Sequence, residues 1–175
     1  MTYKDRLCES MRLLARDKKR VFIGYNVLHG GRANGTLNDI PDSQLIETPV
    51  AENLVLGLAI GMAIDGWKPV VWIERFDFML NASDAIVNHL DKLTEISAGE
   101  FSPAVIIRTC VGGSKNPLFS GPTHTQDLTE SFSPMVGFNV HPLKTPGAVI
   151  SNYILAAQSD QSWMMVEYRD LYGTE

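Results

Sequence analysis

The order of hydrophobic and polar positions divides the chain into alternating helices and strands. Apolar side chains recur three and four residues apart in residues 3–17, with charged side chains between them, which predicts an amphipathic helix. Short runs of consecutive apolar residues predict buried strands. The predicted strands cover residues 21–24, 68–74, 104–110, 138–142 and 163–168, and residues 45–46 end another strand or an extended segment. The predicted helices cover residues 3–17, 49–65, 81–97, 126–133 and 146–158.

This alternation predicts an α/β fold with three layers. Strands that are continuously apolar are typical of a mostly parallel sheet with helices on both faces. Ligands of such folds lie at the carboxyl ends of the strands. Two glycine-rich loops, residues 26–44 and 111–125, and the segment after Glu74 follow predicted strands and are the expected walls of a site. Because no linker divides the sequence, we expect a single domain over residues 1–175.

Composition and charge exclude several classes of function. The 175 residues carry a formal net charge of −5 without a basic stripe, which argues against nucleic acid or an anionic membrane as the main partner. Two distant cysteines, Cys8 and Cys110, and four scattered histidines lack the spacing of a disulfide framework or a metal site. Residues 1–6 do not resemble a signal peptide, and the longest apolar run is broken by glycines and an aspartate. We therefore expect a cytoplasmic protein that binds no metal itself.

A single carboxylate stands near the start of the apolar helix predicted for residues 49–65. Glu52 has Val50, Ala51, Leu54 and Val55 as its neighbours. Helix physics alone favours a carboxylate that satisfies the helix N-terminus and its dipole. The alternative is a deliberately buried carboxyl with a raised pKa, used for proton chemistry.

Other candidate residues follow predicted strands. Phe76 and Phe78 stand two positions apart, so alternation alone makes both rings core residues, whereas a functional interpretation offers a flat ring to a heteroaromatic ligand. His124 lies in a Gly- and Pro-rich loop at the end of the sheet and is an acid–base candidate. His29 lies in the first long loop, where the spacing of residues gives it no particular role.

Glycines give two further indications. No glycine-rich phosphate-binding fingerprint is present in the sequence. Gly57 and Gly61 share one helical face, which permits close helix packing either inside the domain or across a subunit boundary.

Four stretches together resemble the pyrimidine-binding domain of thiamine diphosphate enzymes. They are residues 45–52 (LIETPVAE), residues 57–66 (GLAIGMAIDG) with the Lys-Pro pair that follows, residues 76–78 (FDF), and residues 121–124 (GPTH). The first three are similar to the beta subunit of the 2-oxo-acid dehydrogenase decarboxylase component, and the fourth to transketolase and deoxyxylulose-phosphate synthase. Each motif alone is weak, but their common order and spacing are specific. The resemblance covers about residues 20–173.

The resemblance implies roles for individual residues. Glu52 matches the glutamate that hydrogen-bonds a ring nitrogen of the cofactor's aminopyrimidine and favours the tautomer that deprotonates the thiazolium carbon. Phe78 matches the aromatic residue that packs on the pyrimidine, with Phe76 beside it. His124 matches a histidine that faces the substrate and handles protons or a developing oxyanion.

Two adjacent charges have no counterpart in the family pattern. Glu74 and Arg75 stand close to Phe78, and we expect them to shape the pocket or the subunit contact. We place Glu74 with the cofactor-binding residues, and we count Arg75 and His29 as candidates for substrate selection.

The chain also lacks parts of the family pattern. It has no Gly-Asp-Gly and Asn-Asn motif for diphosphate and magnesium, which implies an alpha-type partner that binds Mg²⁺, in a two-plus-two heterotetramer. We expect no further C-terminal domain, and this expectation weakens the dehydrogenase-complex interpretation. We therefore expect the small subunit of a split enzyme that makes or breaks a C–C bond next to a carbonyl of a 2-oxo acid or ketose. The alternatives are a dehydrogenase beta component, a non-catalytic scaffold relative, and a small-molecule-binding α/β domain of another class.

Overall fold

A computed structural model describes residues 1–114 and 120–174 of the chain. Within these residues, six strands form one sheet in which every neighbouring pair is parallel. The strands are β1 (Arg20–Gly24), β2 (Leu45–Glu47), β3 (Lys68–Ile73), β4 (Ile106–Val111), β5 (Asn139–Pro142) and β6 (Trp163–Tyr168). Their order across the sheet is β2-β1-β3-β4-β6-β5. All carboxyl ends of the strands therefore lie at one edge of the sheet.

Helices of very different length connect these strands. The α-helices are α1 (Tyr3–Leu14), α2 (Arg32–Gly35), α3 (Glu52–Ile64), α4 (Leu93–Ile96), α5 (Thr129–Phe132) and α6 (Pro146–Gln158). The 3-10 turns are Asp42–Gln44, Phe76–Ala82, Ser133–Met135 and Arg169–Leu171, and a π-helical turn spans Ala85–Leu90. Within the described part of the chain, no helix has the length and apolar character needed to cross a bilayer.

The helices cover both faces of the sheet. On one face α1 packs against α6, and fully buried side chains such as Leu7 and Tyr153 fill the layer between them and the strands. On the other face α3 packs against β3 and the 3-10 and π-helical turns, with Leu56, Met79 and Ile86 fully buried. The central strands β3 and β4 are buried almost throughout because both of their faces are covered. The predicted three-layer α/β fold is thus confirmed.

The long helix predicted for residues 81–97 is wrong. That stretch consists of the end of a 3-10 turn, the π-helical turn and the short α4. Polar side chains explain the breaks, because they compete for the backbone. Ser83 Oγ donates to the carbonyl of Leu80 at 2.9 Å, and the amide of Asp91 reaches back five residues to Ile86 at 3.0 Å.

Smaller differences concern element ends and the two long loops. Helix α3 begins at Glu52 and not at residue 49, and α1 ends at Leu14 and not at residue 17. Residues 26–44, predicted as a loop, contain α2 and a 3-10 turn, and Asn26 and three residues around α2 have positive φ. Part of the second predicted loop, residues 115–119, lies outside the described residues.

Candidate active site

A small pocket opens at the carboxyl edge of the sheet, between the start of α3 and the end of β3. Its volume is about 80 Å³. Most of its wall is apolar or aromatic, and two carboxylates, Glu52 and Glu74, belong to it. The lining residues are Tyr25, Pro49, Val50, Ala51, Glu52, Val55, Trp72, Ile73, Glu74 and Phe78. This is the edge at which ligands of parallel α/β folds bind.

Glu52 reaches the pocket because it is the first residue of α3. Pro49 fixes the backbone of the approach, and Ala51 stands before the helix without a side-chain cap. The Glu52 side chain is half-buried, and its Oε2 accepts a long hydrogen bond of 3.5 Å from Asn81 Nδ2. The carboxylate therefore lies at the positive end of the helix and on an otherwise apolar wall of the pocket.

Phe78 connects this pocket to His124. The Phe78 ring lines the pocket, and the His124 ring meets it edge-on, with centroids 5.2 Å apart and planes at 81°. His124 is half-buried, and its Nδ1 lies 3.0 Å from Thr123 Oγ1. The structure thus brings together Glu52, Phe78 and His124 from three separate segments of the chain.

A glycine at the end of β4 fixes the approach of the His124 loop. The Gly112 amide donates to the carbonyl of His124 at 3.1 Å. A Cβ atom on residue 112 would stand 2.0 Å from that carbonyl oxygen, so only glycine fits without a shift of the loop.

The structure corrects the expected place of Phe76. Its ring is fully buried in the core and packs against Phe132, with centroids 5.6 Å apart, so that it does not line the pocket. The 3-10 turn after β3 rotates successive side chains to different sides. Phe76 therefore points inward while Phe78 reaches the site.

Glu74 and Arg75 have separate surroundings. Glu74 lines the pocket, whereas Arg75 lies beside Gly112, under the His124 loop. Arg75 Nη1 donates to the Glu74 carbonyl at 2.7 Å and lies 3.7 Å from the Glu74 carboxylate. Arg75 Nε is buried and has no acceptor among the described residues.

His29 is exposed and is not among the residues that line the pocket. Its backbone amide instead joins a cluster of N–H groups around Glu47, a residue that sequence reasoning did not assign to the site. The Glu47 carboxylate accepts from the amides of Asn26, Val27, Leu28 and His29 at 2.6–3.2 Å. Burial raises the pKa of Glu47, but these hydrogen bonds outweigh it and hold the pKa below its usual value. The clamp fixes the segment that presents Tyr25 to the pocket.

A sequence signal for Glu47 existed. It is a carboxylate at the end of a predicted strand, next to a glycine- and asparagine-rich loop that follows another strand. Tyr25 and Trp72, which also line the pocket, were missed because nothing in their spacing separates them from core residues.

Helix α3 presents an apolar face to solvent. We define the α3 outer face as Val50, Leu54, Gly57, Leu58 and Gly61; the side chains of Val50 and Leu54 are 65% and 61% exposed. A Cβ added at either glycine would meet no atom within 4 Å. Close packing inside the described domain therefore does not explain this glycine pair.

The side chains around the pocket include carboxylates and aromatic rings. Among residues 1–114 and 120–174, no group of three or more His, Cys, Asp or Glu side chains could hold a metal ion. Two carboxylates and several aromatic rings line the pocket, and such a set suits a flat, nitrogen-containing ring.

Comparison with known proteins finds relatives over most of the chain. No family model matches the chain. The beta subunit of 2-oxoisovalerate dehydrogenase from Pseudomonas aeruginosa is 27% identical over 165 residues, which are 92% of this chain and 46% of that subunit. The beta subunit of acetoin:2,6-dichlorophenolindophenol oxidoreductase from Cupriavidus necator is 27% identical, over 93% of this chain and 51% of the relative. The pyruvate dehydrogenase E1 component subunit beta of Porphyra purpurea is 34% identical, over 71% of this chain and 38% of that subunit.

A solved structure agrees with the sequence comparison. A split gene transketolase, described as an inactive beta4 tetramer, superposes with a TM-score of 0.71 at 15% identity, over 95% of this chain and 50% of that one. The chain spans about half the length of the curated relatives above. The chain is thus a pyrimidine-type domain that is similar to the N-terminal part of 2-oxo-acid dehydrogenase beta subunits and has the fold of the split transketolase.

Proposed function

We propose that this chain is the beta-type subunit of a split thiamine diphosphate-dependent enzyme that makes or breaks a C–C bond next to a carbonyl. The observation that carries the proposal is the half-buried Glu52 carboxylate, which shares a pocket wall with Phe78 while His124 contacts the Phe78 ring. The relatives support a beta-type subunit of this class of enzyme.

The pocket residues fit the aminopyrimidine part of the cofactor. Glu52 offers a carboxyl group that can share a proton with a ring nitrogen, and Phe78 offers a ring face, with Val50 and Val55 completing an apolar surround. When bound, thiamine diphosphate supplies a nucleophilic carbon and stabilises the carbanion that develops in the reaction.

The chain's own residues then have distinct tasks. Glu52 holds a proton between its carboxyl oxygen and the ligand nitrogen, and the apolar wall excludes the water that would compete for that hydrogen bond. Phe78 orients the ring plane. His124, which stands against the edge of Phe78, donates or accepts a proton at the substrate oxygen.

The pocket is too small to be a complete site. Its volume of about 80 Å³ compares with about 150 Å³ for a cavity that takes up benzene. We propose that an alpha-type subunit supplies the missing walls, the diphosphate site and the Mg²⁺, in a two-plus-two assembly. The transketolase neighbour, described as inactive when its beta chains form a tetramer, supports a chain that is inactive alone.

The α3 outer face is where we propose that the alpha-type subunit docks. Val50 belongs both to this face and to the pocket wall, so a chain that completes the pocket also covers the start of α3. Exposed apolar patches rimmed by polar residues are typical of such interfaces.

We propose that Arg75 and Glu74 contribute to substrate choice, with a 2-oxo acid or a ketose as substrate. The free Nε of Arg75 under the His124 loop is a donor that a substrate oxygen could satisfy.

The test is an assay of the reconstituted complex. The purified chain is mixed with a candidate alpha-type chain that carries a diphosphate-binding motif, thiamine diphosphate and Mg²⁺, and turnover of pyruvate and of a ketose is measured. Glu52→Gln is expected to lower kcat at least about 100-fold, whereas Glu95→Gln, at an exposed glutamate of α4, leaves it unchanged. Wild-type turnover by the Glu52→Gln complex would overturn the proposal.

A second candidate, the beta component of a 2-oxo-acid dehydrogenase, is favoured by the names of the relatives. The two candidates differ in the acceptor. A dehydrogenase component reductively acylates a free lipoyl domain, which mass spectrometry detects, and a ketol transferase or carboligase passes its fragment to an aldehyde and leaves that domain unmodified.

A further inference from the structure

The loop that carries His124 is held by strand ends at the histidine and after it. Before it, the His124 amide donates to the Gly121 carbonyl at 3.1 Å and so closes a turn. At the histidine itself, the end of β4 holds the loop through the Gly112 amide. After it, Tyr168 Oη donates to Asp127 at 2.8 Å from the end of β6.

The third strand end, that of β3, holds the loop through Asp77. Gln126 Nε2 donates to Asp77 Oδ1 at 2.7 Å, the length of a strong hydrogen bond to a carboxylate. Asp77 is only 8% exposed, and its Oδ2 is buried without a donor among the described residues. One carboxylate oxygen of Asp77 therefore accepts from Gln126, and the other accepts no hydrogen bond from the described residues.

This arrangement is costly if its only purpose is stability. A buried carboxylate with an unsatisfied oxygen loses hydration that one hydrogen bond does not restore. An apolar residue of similar shape between Phe76 and Phe78 would fill the same space without that penalty. The carboxylate instead gives the loop a fixed orientation. It holds Gln126, two residues after His124, against the segment that carries Phe78.

We propose that Asp77 is a positioning residue that holds the His124 imidazole against Phe78 through Gln126. The inference rests on the proposed role of His124 and extends it to the residues that aim the ring. Phe78 and Asp77 are neighbours on one 3-10 turn, so the ring contact and the hydrogen bond hold the loop at two points of the same rigid segment. Without the second point, the loop keeps its ends but loses the orientation of the histidine.

The test uses the chain alone, without cofactor or partner, and observes the His124 ring by NMR with ¹³C-labelled histidine. The aromatic ring of Phe78 shifts the His124 ring signals, and His124→Gln assigns them among the four histidines. Phe78→Leu defines the position of the signals without the ring. Asp77→Leu and Gln126→Ala are each expected to move them more than half of the way to that position.

Asp77→Asn is the conservative variant. Its side-chain oxygen still accepts from Gln126, so the His124 signals are expected to stay at their wild-type position. Gln126 is exposed, so Gln126→Ala keeps the fold and decides the question even where Asp77→Leu does not fold. Unmoved His124 signals in Gln126→Ala, or an equal displacement in Asp77→Asn and Asp77→Leu, would overturn the proposal.

In the reconstituted enzyme Gln126→Ala is expected to lower kcat about tenfold while the KM for thiamine diphosphate stays the same, because the histidine and not the pyrimidine wall is displaced. The two proposals can fail independently. If the complex has no cofactor-dependent activity, the proposed function is wrong, but the NMR test of Asp77 still stands. If the enzyme is active and Gln126→Ala does not move the His124 signals, the proposed function stands and the positioning role of Asp77 is wrong.

Discussion

At the scale of single residues, Glu47 concentrates more backbone hydrogen bonds than any other side chain near the pocket. Four amides of residues 26–29 converge on its two oxygens. Glu47→Ala leaves them without that acceptor and is expected to reduce the free energy of unfolding by about 2 kcal/mol, while Glu47→Gln, which keeps one oxygen, costs about 1 kcal/mol. Urea titration measures both, with Glu100→Gln at an exposed glutamate as the control.

The same clamp is expected to depend on pH. The pKa of Glu47 in the folded chain lies below its usual value near 4.5. The carboxylate therefore contributes its full stability above that value and loses it as the pH falls through the folded pKa. Stability curves measured from neutral pH to below pH 4 should show wild type and Glu47→Gln converging in acid. Parallel curves would contradict the assigned role.

Phe76 and Phe78 form a matched pair, because they stand on one turn but face different surroundings. Phe76 is fully buried against Phe132, so Phe76→Ala is expected to cost about 3–5 kcal/mol of stability. Phe78 is only partly buried and lines the pocket, so Phe78→Ala is expected to cost less and to weaken cofactor binding by the assembled complex. Thermal unfolding and a cofactor titration separate the two effects, and equal losses of stability would refute the assignment.

The pair also marks the limit of sequence reasoning at this scale. Glu52, Phe78 and His124 could be singled out as site candidates from motifs, and the structure places them around one corner of the sheet. The sequence could not show which of the two phenylalanines faces inward. The alternation rule applies to a strand, whereas this segment is a 3-10 turn. The role of Asp77 could not be predicted from the sequence either, because its hydrogen-bond partner Gln126 is distant along the chain.

At the scale of elements, the strands were predictable and the region after β3 was not. Buried strands such as β4 and β6 begin with consecutive apolar residues, and this start of the strand is visible in the sequence. Residues 81–97 have a helical pattern of apolar residues, but Ser83 and Asp84 bond to nearby backbone and side-chain groups and divide the helix. Local competition of this kind leaves no trace in the period of the pattern.

Substitutions on the α3 outer face test whether this face is the subunit contact. Gly57→Leu and Gly61→Leu have room in the free chain, so its melting temperature should change little beyond the effect of helix propensity. Both variants should lose association with the alpha-type chain, because the added side chains keep the two helical surfaces apart. Analytical ultracentrifugation of the mixture measures this, with Arg16→Leu, at an exposed position after α1, as the control. Wild-type association of both glycine variants would exclude this face from the interface.

At the scale of the whole molecule, the three-layer fold follows from the alternation of apolar strands and helices, whereas the proposal of a shared site rests on the pocket. The sequence lacks a diphosphate motif, and the pocket at the start of α3 has a volume of about 80 Å³. Glu52 is half-buried in the isolated chain. A partner that completes the pocket would bury this carboxylate further, so the proposed function is one that two chains share.

Ligand linkage tests that conclusion directly. In the absence of the partner, thiamine diphosphate with Mg²⁺ should not change the melting temperature of this chain. The isolated chain contacts only the pyrimidine part of the cofactor, which is too little for measurable binding. In the complex, cofactor at 100 times its Kd should stabilise the folded state by about 2.7 kcal/mol and raise the melting temperature. The complex that contains Glu52→Gln should show a smaller rise, because the carboxylate that holds the ring nitrogen is gone. If cofactor leaves the melting temperature of the wild-type complex unchanged, the chain is a scaffold relative of the family, and its pocket has no catalytic use.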